Sequence, residues 1–329
     1  MSANDTLSQC HDDAQDADFS AHIPVLLNEV LEYLNPQAHG RFLDGTLGLA
    51  GHSSAILARA GEGAELCGLD RDNNALDAAK RRLAPHGDRV HLYHQRYADF
   101  CEALDDLGWH EIDGALIDIG VSSMQIDTAE RGFSFHADGP LDMRMDATDD
   151  RSAWHYANRE RFEVLKDIIT RFGEEPMAGR IARAIVDARN NGTIDNTLQL
   201  ASIVEMAYPA KWRAKARNHP ATRTFQAIRM AVNDELGQLD AFLDAILPRI
   251  KSGGRLAVIT FHSLEDRAVK HRFRYWAEGC RCPKHIPYCV CGHKPEVRIL
   301  TKKPVTASAE ELARNPRASS AKLRVMEKI

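Results

Sequence analysis

The segment that most constrains this chain is Leu43-Asp44-Gly45-Thr46-Leu47-Gly48-Leu49-Ala50-Gly51-His52-Ser53. It follows Arg41-Phe42-Leu43-Asp44, which reads as a short strand, and runs into 53–59, which reads as a helix. A strand that passes through a glycine-rich turn into a helix opens an α/β unit, because glycine lets main-chain N–H groups approach a neighbour closely. The alternation continues with a strand at 64–70, a helix at 74–83, a strand at 89–94 and a fourth strand at 112–118. That fourth strand, Ile112-Asp113-Gly114-Ala115-Leu116-Ile117-Asp118, is nearly all apolar, as expected at the centre of a parallel sheet. Before the turn, 24–34 has helical apolar spacing and ends near Pro36.

The pattern then changes. From about 127 to 229 the spacing predicts helices at 162–172, 178–189, 197–207 and 222–236, and no strand. The α/β signal returns with a turn and strand at 253–261, a helix at 263–276, and a last strand at 322–326 in a basic tail beginning at Lys294. At 329 residues the chain is long for one compact unit. The predicted architecture is an α/β domain, 22–126 plus 231–329, interrupted by a helical insertion at 127–230. Residues 1–21 hold Asp5, Asp12, Asp13, Asp16 and Asp18, with no Lys or Arg before Arg41, and read as a disordered acidic tail rather than a signal or transit peptide. No apolar run approaches the ~20 residues of a membrane helix, so the expectation is a cytoplasmic protein without a membrane partner.

Charge is distributed unevenly. Residues 151–230 carry 14 Lys/Arg against 8 Asp/Glu, a net of +6, while the rest of the chain has a net of −11. Six basic residues and no acid fall between Lys211 and Arg229. A basic face on an acidic protein suits a polyanionic partner, and a solvated helix surface is the plain alternative.

The turn alone fits nucleotides, dinucleotides and S-adenosylmethionine equally. Its glycines, Gly45, Gly48 and Gly51, depart from the G-x-G-x-x-G spacing of a pyrophosphate loop. Asp44 at the strand end would repel a pyrophosphate and suits a ligand carrying a cationic sulfonium and ammonium. Asp70 ends the second strand, where a carboxylate can accept both ribose hydroxyls of an adenosine, and Asp118 ends the fourth. The three acidic strand ends together favour S-adenosylmethionine.

Longer motifs follow in order. His22-Ile23-Pro24-Val25-Leu26, Asp44-Gly45-Thr46, Gly51-His52-Ser53, Asp118-Ile119-Gly120-Val121-Ser122-Ser123, Glu130-Arg131-Gly132-Phe133-Ser134-Phe135, Gly139-Pro140-Leu141-Asp142-Met143-Arg144-Met145, His219-Pro220-Ala221-Thr222-Arg223-Thr224-Phe225-Gln226 and Thr260-Phe261-His262-Ser263-Leu264-Glu265-Asp266-Arg267 closely resemble the RsmH (MraW) family. The resemblance runs from about residue 22 to the C-terminus. It implies a Rossmann-like, S-adenosylmethionine-dependent methyltransferase fold with a helical insertion that recognises RNA. It also implies methyl transfer to N4 of a cytosine in the decoding region of bacterial 16S rRNA, with that RNA or the small ribosomal subunit as partner, and a homodimer as a further option. The cofactor contacts it implies are Ala50, Gly51 and His52 at the amino-acid end, Asp70 at the ribose, Tyr97 near the adenine, and Asp118 and Gln125 completing the pocket. The family commonly has glycine where this chain has Ala50; alanine is strained there if the position needs positive φ and harmless if it does not.

The cytosine amine needs an acceptor for one of its hydrogens, because its lone pair is delocalised into the ring. Asp142 and the main-chain carbonyls near 120–122 are the two candidates, with loop ordering as an equal reading of Asp142. Carbon-5 cytosine methyltransferases use a cysteine nucleophile, usually within Pro-Cys, and no Pro-Cys occurs here. Lys211, Arg213, Lys215 and Arg217 would contact phosphates, while Trp212 either packs the insertion, which is preferred, or stacks on a base. Cys280, Cys282, Cys289 and Cys291, with His285 and His293 nearby, could bind zinc, but structural sites usually use Cys-x-x-Cys spacing. Reduced thiols are the preferred reading, and no metal is assigned. Ser263 reads as a helix N-cap with Asp266 at N3, rather than as part of a hydrolase site. A nicotinamide-dependent dehydrogenase is disfavoured by the glycine spacing and by Asp44. A non-enzymatic RNA-binding protein with a vestigial pocket is the third reading.

Overall fold

The computed structural model describes residues 23–213, 218–280, 282–283 and 288–329. The acidic tail, Lys215, Arg217 and His285 lie outside them. The described chain divides into two compact units, one formed by the residues up to Gly120 with those from Gln238 onward, and the other lying between Val121 and Gly237.

The first unit is built on a sheet of seven described strands: β1 (Arg41–Asp44), β2 (Glu65–Asp70), β3 (Val90–His94), β4 (Ile112–Asp118), β5 (Ile250–Thr260), β6 (Val297–Ile299) and β7 (Lys322–Lys328). Their order is β3-β2-β1-β4-β5-β7-β6. The first five are parallel, and β7 runs antiparallel between β5 and β6. This is a doubly wound, Rossmann-like sheet whose order reverses between β1 and β4, and ligands of such sheets bind where the order reverses.

Side-chain alternation divides the core between the two faces. Phe42, Leu66, Leu116, Ala257 and Ile259 pack with Val30, Leu34, Ile56 and Leu57, which come from the helices Leu27–Leu34 and Gly51–Ala60. Leu43, Cys67, Ala115, Ile117 and Val258 pack on the other face with Phe100, Phe242, Ile246 and Phe273. Their helices are Phe100–Asp106, Glu235–Arg249 and Ser263–Ala277. Apolar residues on both sides explain the unbroken run that marked the fourth strand in the sequence.

The second unit is helical among its described residues. Its helices Phe162–Arg171, Ala178–Arg189, Thr197–Ala207 and Thr222–Val232 bury Leu165, Ile169, Ile181, Ile185, Val204 and Ile228 in one cluster. The compact unit begins at 121 and ends at 237, against the expected limits of 127 and 230. The single helix expected at 222–236 is a correction. The chain breaks at Asn233 and Asp234, where Asp234 takes φ 46°, and a second helix, Glu235–Arg249, starts there. Asn233 is held in that break by its own amide. Its Nδ2 donates to the Met143 carbonyl at 2.7 Å, and its Oδ1 accepts the Met145 N–H at 2.8 Å.

None of the described helices is long and apolar enough to cross a membrane.

Candidate active site

Register brings the three acidic strand ends together. Asp44 of β1 pairs with Gly68 of β2 and Leu116 of β4, so Asp70 and Asp118 lie two residues further along their strands. Two residues is one full side-chain period, and all three carboxylates therefore lean to the same face at the same sheet edge. Each has a different anchor. Asp44 is buried; its Oδ2 accepts from the Ser53 hydroxyl at 2.6 Å, and its Oδ1 accepts from the Thr46 N–H at 3.1 Å. Asp70 accepts from the Gly48 N–H at 2.8 Å and from the Asp72 N–H at 2.9 Å. The Asp118 N–H donates to Thr46 Oγ1 at 2.5 Å, which ties the end of β4 to the turn.

The Asp118 side chain is the least satisfied of the three. Its Oδ1 is buried and has no hydrogen-bond partner among the described residues. Its Oδ2 lies 4.0 Å from His52 Nδ1, beyond hydrogen-bond distance. His52 Nε2 is 2.9 Å from the Val25 carbonyl, which can only accept, so this nitrogen carries a proton.

Burial of mutually repelling carboxylates shows in their titration. Burial, followed by the charges of Asp44 and Glu265, pushes the Asp118 carboxyl up to about 8. Burial lifts Asp44 to about 6, with the Ser53 hydroxyl and Thr46 amide holding it down and Asp70 adding to the rise. Asp70 is also raised, by burial first. Three carboxylates gathered at one strand edge, two of them raised well above the ordinary range, make a pocket complementary to a cation.

The turn is shaped for close approach. A Cβ on Gly45 would meet Ile117 Cγ2 at 2.8 Å and Tyr97 Cβ at 2.9 Å, and one on Gly51 would meet Pro24 Cγ at 2.3 Å. The Pro24-Val25 segment therefore lies over the turn, and this accounts for a motif at the start of the chain. Ala50, fully buried, adopts φ 55°, ψ 29° as the residue before the helix Gly51–Ala60. The question left open by its side chain is answered. The position does require the left-handed conformation, which costs an L-residue roughly 1–2 kcal/mol. No side chain caps this helix, so its first N–H groups face the turn with the positive end of the helix dipole. Tyr97 is 8% exposed and packs its ring edge-on against Phe242.

Thr46, Ser53 and Asp72 were not singled out in the sequence. Thr46 and Ser53 hold Asp118 and Asp44, and Asp72 caps the helix Asn73–Leu83 by accepting the Asn74 N–H at 3.1 Å. The hydroxyls inside the turn were the available signal for the first two.

The model of the MraW methylase family matches residues 19–329.

The chain belongs to the MraW methylase family.

Family members with the name ribosomal RNA small subunit methyltransferase H are similar to it along almost their full length. The protein of Nitratidesulfovibrio vulgaris strain DP4 is 76% identical over 312 residues, covering 95% of this chain and 97% of the relative. That of Desulfovibrio desulfuricans strain ATCC 27774 is 68% identical over 309 residues, with 94% of each covered. That of Lawsonia intracellularis is 56% identical over 309 residues, covering 94% of this chain and 99% of the relative.

Two of the motifs pack on each other. In the helical unit, a Cβ on Gly132 would lie 2.1 Å from the Pro140 carbonyl oxygen, and one on Gly139 would lie 1.9 Å from that of Ala129. The two motif loops are thus closely packed on each other, and Arg131 reinforces them by donating to the carbonyls of Arg144 and Met145. Asp142 lies in the second loop. Its Oδ1 accepts Arg144 Nε at 2.8 Å and its Oδ2 accepts a terminal nitrogen of Arg144 at 2.9 Å. The arginine holds its carboxyl below the ordinary range, against the opposing effect of burial. Gln125, also in this unit, closes a capping box: its Oε1 accepts the Ser122 N–H at 3.1 Å, and its own N–H donates to Ser122 Oγ.

One expectation needs correction. The cap of the helix Ser263–Ala277 is His262, not Ser263, and the N3 residue is Glu265, not Asp266. The His262 imidazole replaces the hydroxyl as acceptor of the Glu265 N–H, and the Glu265 carboxylate reaches back to the His262 N–H. Asp266 is instead a tether, accepting two bonds from Arg324 of β7. Lys211, Trp212 and Arg213 form the short helix Ala210–Arg213, and Trp212 is 51% exposed, against the packed position preferred for it. The four clustered cysteines are free thiols, and their Sγ atoms gather within 4.8 Å of one another.

Proposed function

We propose that this protein uses S-adenosylmethionine to methylate small-subunit ribosomal RNA, at the exocyclic N4 of a cytosine in the decoding region of bacterial 16S rRNA. The observation that carries the cofactor assignment is the buried, partnerless Asp118 Oδ1 in a cluster of three carboxylates beside a glycine turn. The donor set fits this ligand: carboxylates for its cationic groups, Asp70 for ribose hydroxyls, and N–H groups of the helix start for its carboxylate. Within the first unit, Ala50, Gly51 and His52 hold the amino-acid end, Asp70 the ribose, Tyr97 the adenine side, and Asp118 completes the set.

S-adenosylmethionine supplies a methyl group already activated on a cationic sulfur, so orientation can supply most of the acceleration. The chain's part is to hold the cytosine amine and accept a hydrogen bond from it, which localises its lone pair, while the proton shed on methylation passes to water. The Asp142 carboxylate is engaged by Arg144 on both oxygens, which favours loop ordering for it. The main-chain carbonyls at 120–122 are the preferred acceptors. Gly120 takes φ 138°, a conformation that glycine allows immediately after β4. The target base leaves its stack to reach the cofactor, and Lys211 and Arg213 bind phosphates of the surrounding RNA. The family membership and the names of its close relatives support this RNA as substrate, and the cytoplasm, where ribosomes are assembled, as the place of action.

The test is methyl transfer from labelled S-adenosylmethionine to unmodified small-subunit RNA and to the assembled subunit, with nucleoside analysis of the product. N4-methylcytosine is expected. Cofactor binding without transfer to either substrate would favour the non-enzymatic reading.

A further inference from the structure

We propose that Cys280, Cys282, Cys289 and Cys291 bind one zinc ion in a closed tetrahedral site. The geometry is that of a metal site lacking only the metal's own bonds. Cys289 Sγ and Cys291 Sγ are 3.6 Å apart, and Cys291 Sγ and Cys280 Sγ are 3.9 Å apart. A tetrahedron of sulfurs around zinc, each bond ~2.3 Å long, has edges of ~3.8 Å. All four sulfurs lie within 4.8 Å of one another, so a single ion reaches every one with small side-chain adjustments. A disulfide requires ~2.05 Å between sulfurs, well inside the 3.6 Å seen for the nearest pair described. A four-iron cluster places each cysteine on a different iron and holds the sulfurs further apart than they stand here.

Main-chain donors already point at the sulfurs. The Cys282 N–H donates to Cys280 Sγ at 3.5 Å, and the Val290 N–H donates to Cys282 Sγ at 3.3 Å. Bonds of this kind stabilise thiolate charge and orient metal ligands. The Cys-x-Cys spacing argued against zinc from sequence, but both pairs come to one point in the fold.

The surrounding segment supplies the second argument. Between the helix Ser263–Ala277 and β6, none of the described residues from 278 to 296 is buried, and none belongs to a helix or strand. Its ends are fastened together: the Glu296 N–H donates to the Trp276 carbonyl at 2.9 Å. Tyr288 and Val290 are 81% and 76% exposed. A loop closed at its base, with no apolar core of its own, needs another source of order, and a structural zinc supplies it. Four thiolates complete the coordination, leaving no open position for a substrate, so the role is structural.

The test uses the full-length protein, purified reduced and without chelator. Elemental analysis should find about one zinc per chain, and X-ray absorption should find four sulfur ligands at ~2.3 Å. Paired Cys280→Ser and Cys289→Ser substitutions should remove the zinc and raise hydrogen exchange across 278–296, while Cys101→Ser retains it. If the double variant fails to fold, the absorption spectrum of the unaltered protein decides alone. Four titratable thiols with no uptake of added zinc would overturn the proposal. So would disulfide-linked peptides from this segment in reduced protein, or iron in place of zinc.

Discussion

Replacing Asp118 with asparagine removes the charge that the pocket is least able to satisfy. With its carboxyl pushed up to about 8, Asp118 is ~90% protonated at pH 7 in the free protein, and Asp44, at about 6, is ~10% protonated. Binding a cationic ligand favours the ionised forms, so S-adenosylmethionine should release roughly one proton at pH 7. Its affinity should fall about a hundredfold between pH 8 and pH 6 as first Asp118 and then Asp44 become protonated, and level off above pH 8. Calorimetry in buffers of different ionisation enthalpy counts the released protons directly. Asp118→Asn should reduce the release to ~0.1 proton, the share of Asp44, and flatten the pH dependence. Stability gives a second reading with a definite sign. A carboxyl raised in the folded state favours folding at low pH, and that contribution is lost as pH rises from its unfolded value of 3.8 through its folded value of about 8. The unliganded Asp118→Asn variant should therefore gain on the unaltered protein by up to ~1.4 kcal/mol per pH unit over that window. Binding heats that do not depend on buffer, or a variant that keeps the full pH dependence, would refute the electrostatic account.

The left-handed conformation of Ala50 predicts that Ala50→Gly raises stability by up to ~1 kcal/mol, whereas Ala50→Val lowers it by more than ~2 kcal/mol, both read by denaturant unfolding. Asp142→Asn should leave the single-turnover rate at saturating RNA within a few fold and weaken the loop it orders, seen as faster hydrogen exchange at 139–146; a rate loss of a hundredfold would return Asp142 to the chemistry. Lys211→Ala with Arg213→Ala should reduce the slope of log affinity for RNA against log salt by about one to two. An unchanged slope would remove these residues from the phosphate contacts.

The α/β half was legible because its signals are local. Strand ends at Asp44, Asp70 and Asp118 are set by apolar runs meeting a turn, and parallel register then forces the three carboxylates to one edge. Conformation at Ala50 was not legible, because an alanine gives no local signal of a left-handed residue, and here it closes the turn by donating its N–H to the Leu47 carbonyl at 2.7 Å. The break at Asn233 was hidden because apolar periodicity continues across it; what decides it is an amide bonded to the loop carrying Met143 and Met145, far away in sequence. His262 was passed over as a cap because a histidine accepts a main-chain N–H less often than a serine does, and the adjacent Ser263 offered a plainer reading. The gathering of the four cysteine sulfurs was not legible for a related reason: spacing along the chain does not say which pairs the fold brings together.

Nucleoside mass spectrometry of 16S rRNA, from cells with and without this protein, tests the central claim most directly. The account predicts that N4-methylcytosine disappears from the decoding region when the protein is absent. It should return when the gene is restored, and fail to return with Asp118→Asn under conditions where that variant is folded. Retention of N4-methylcytosine in cells lacking the protein would contradict the assignment.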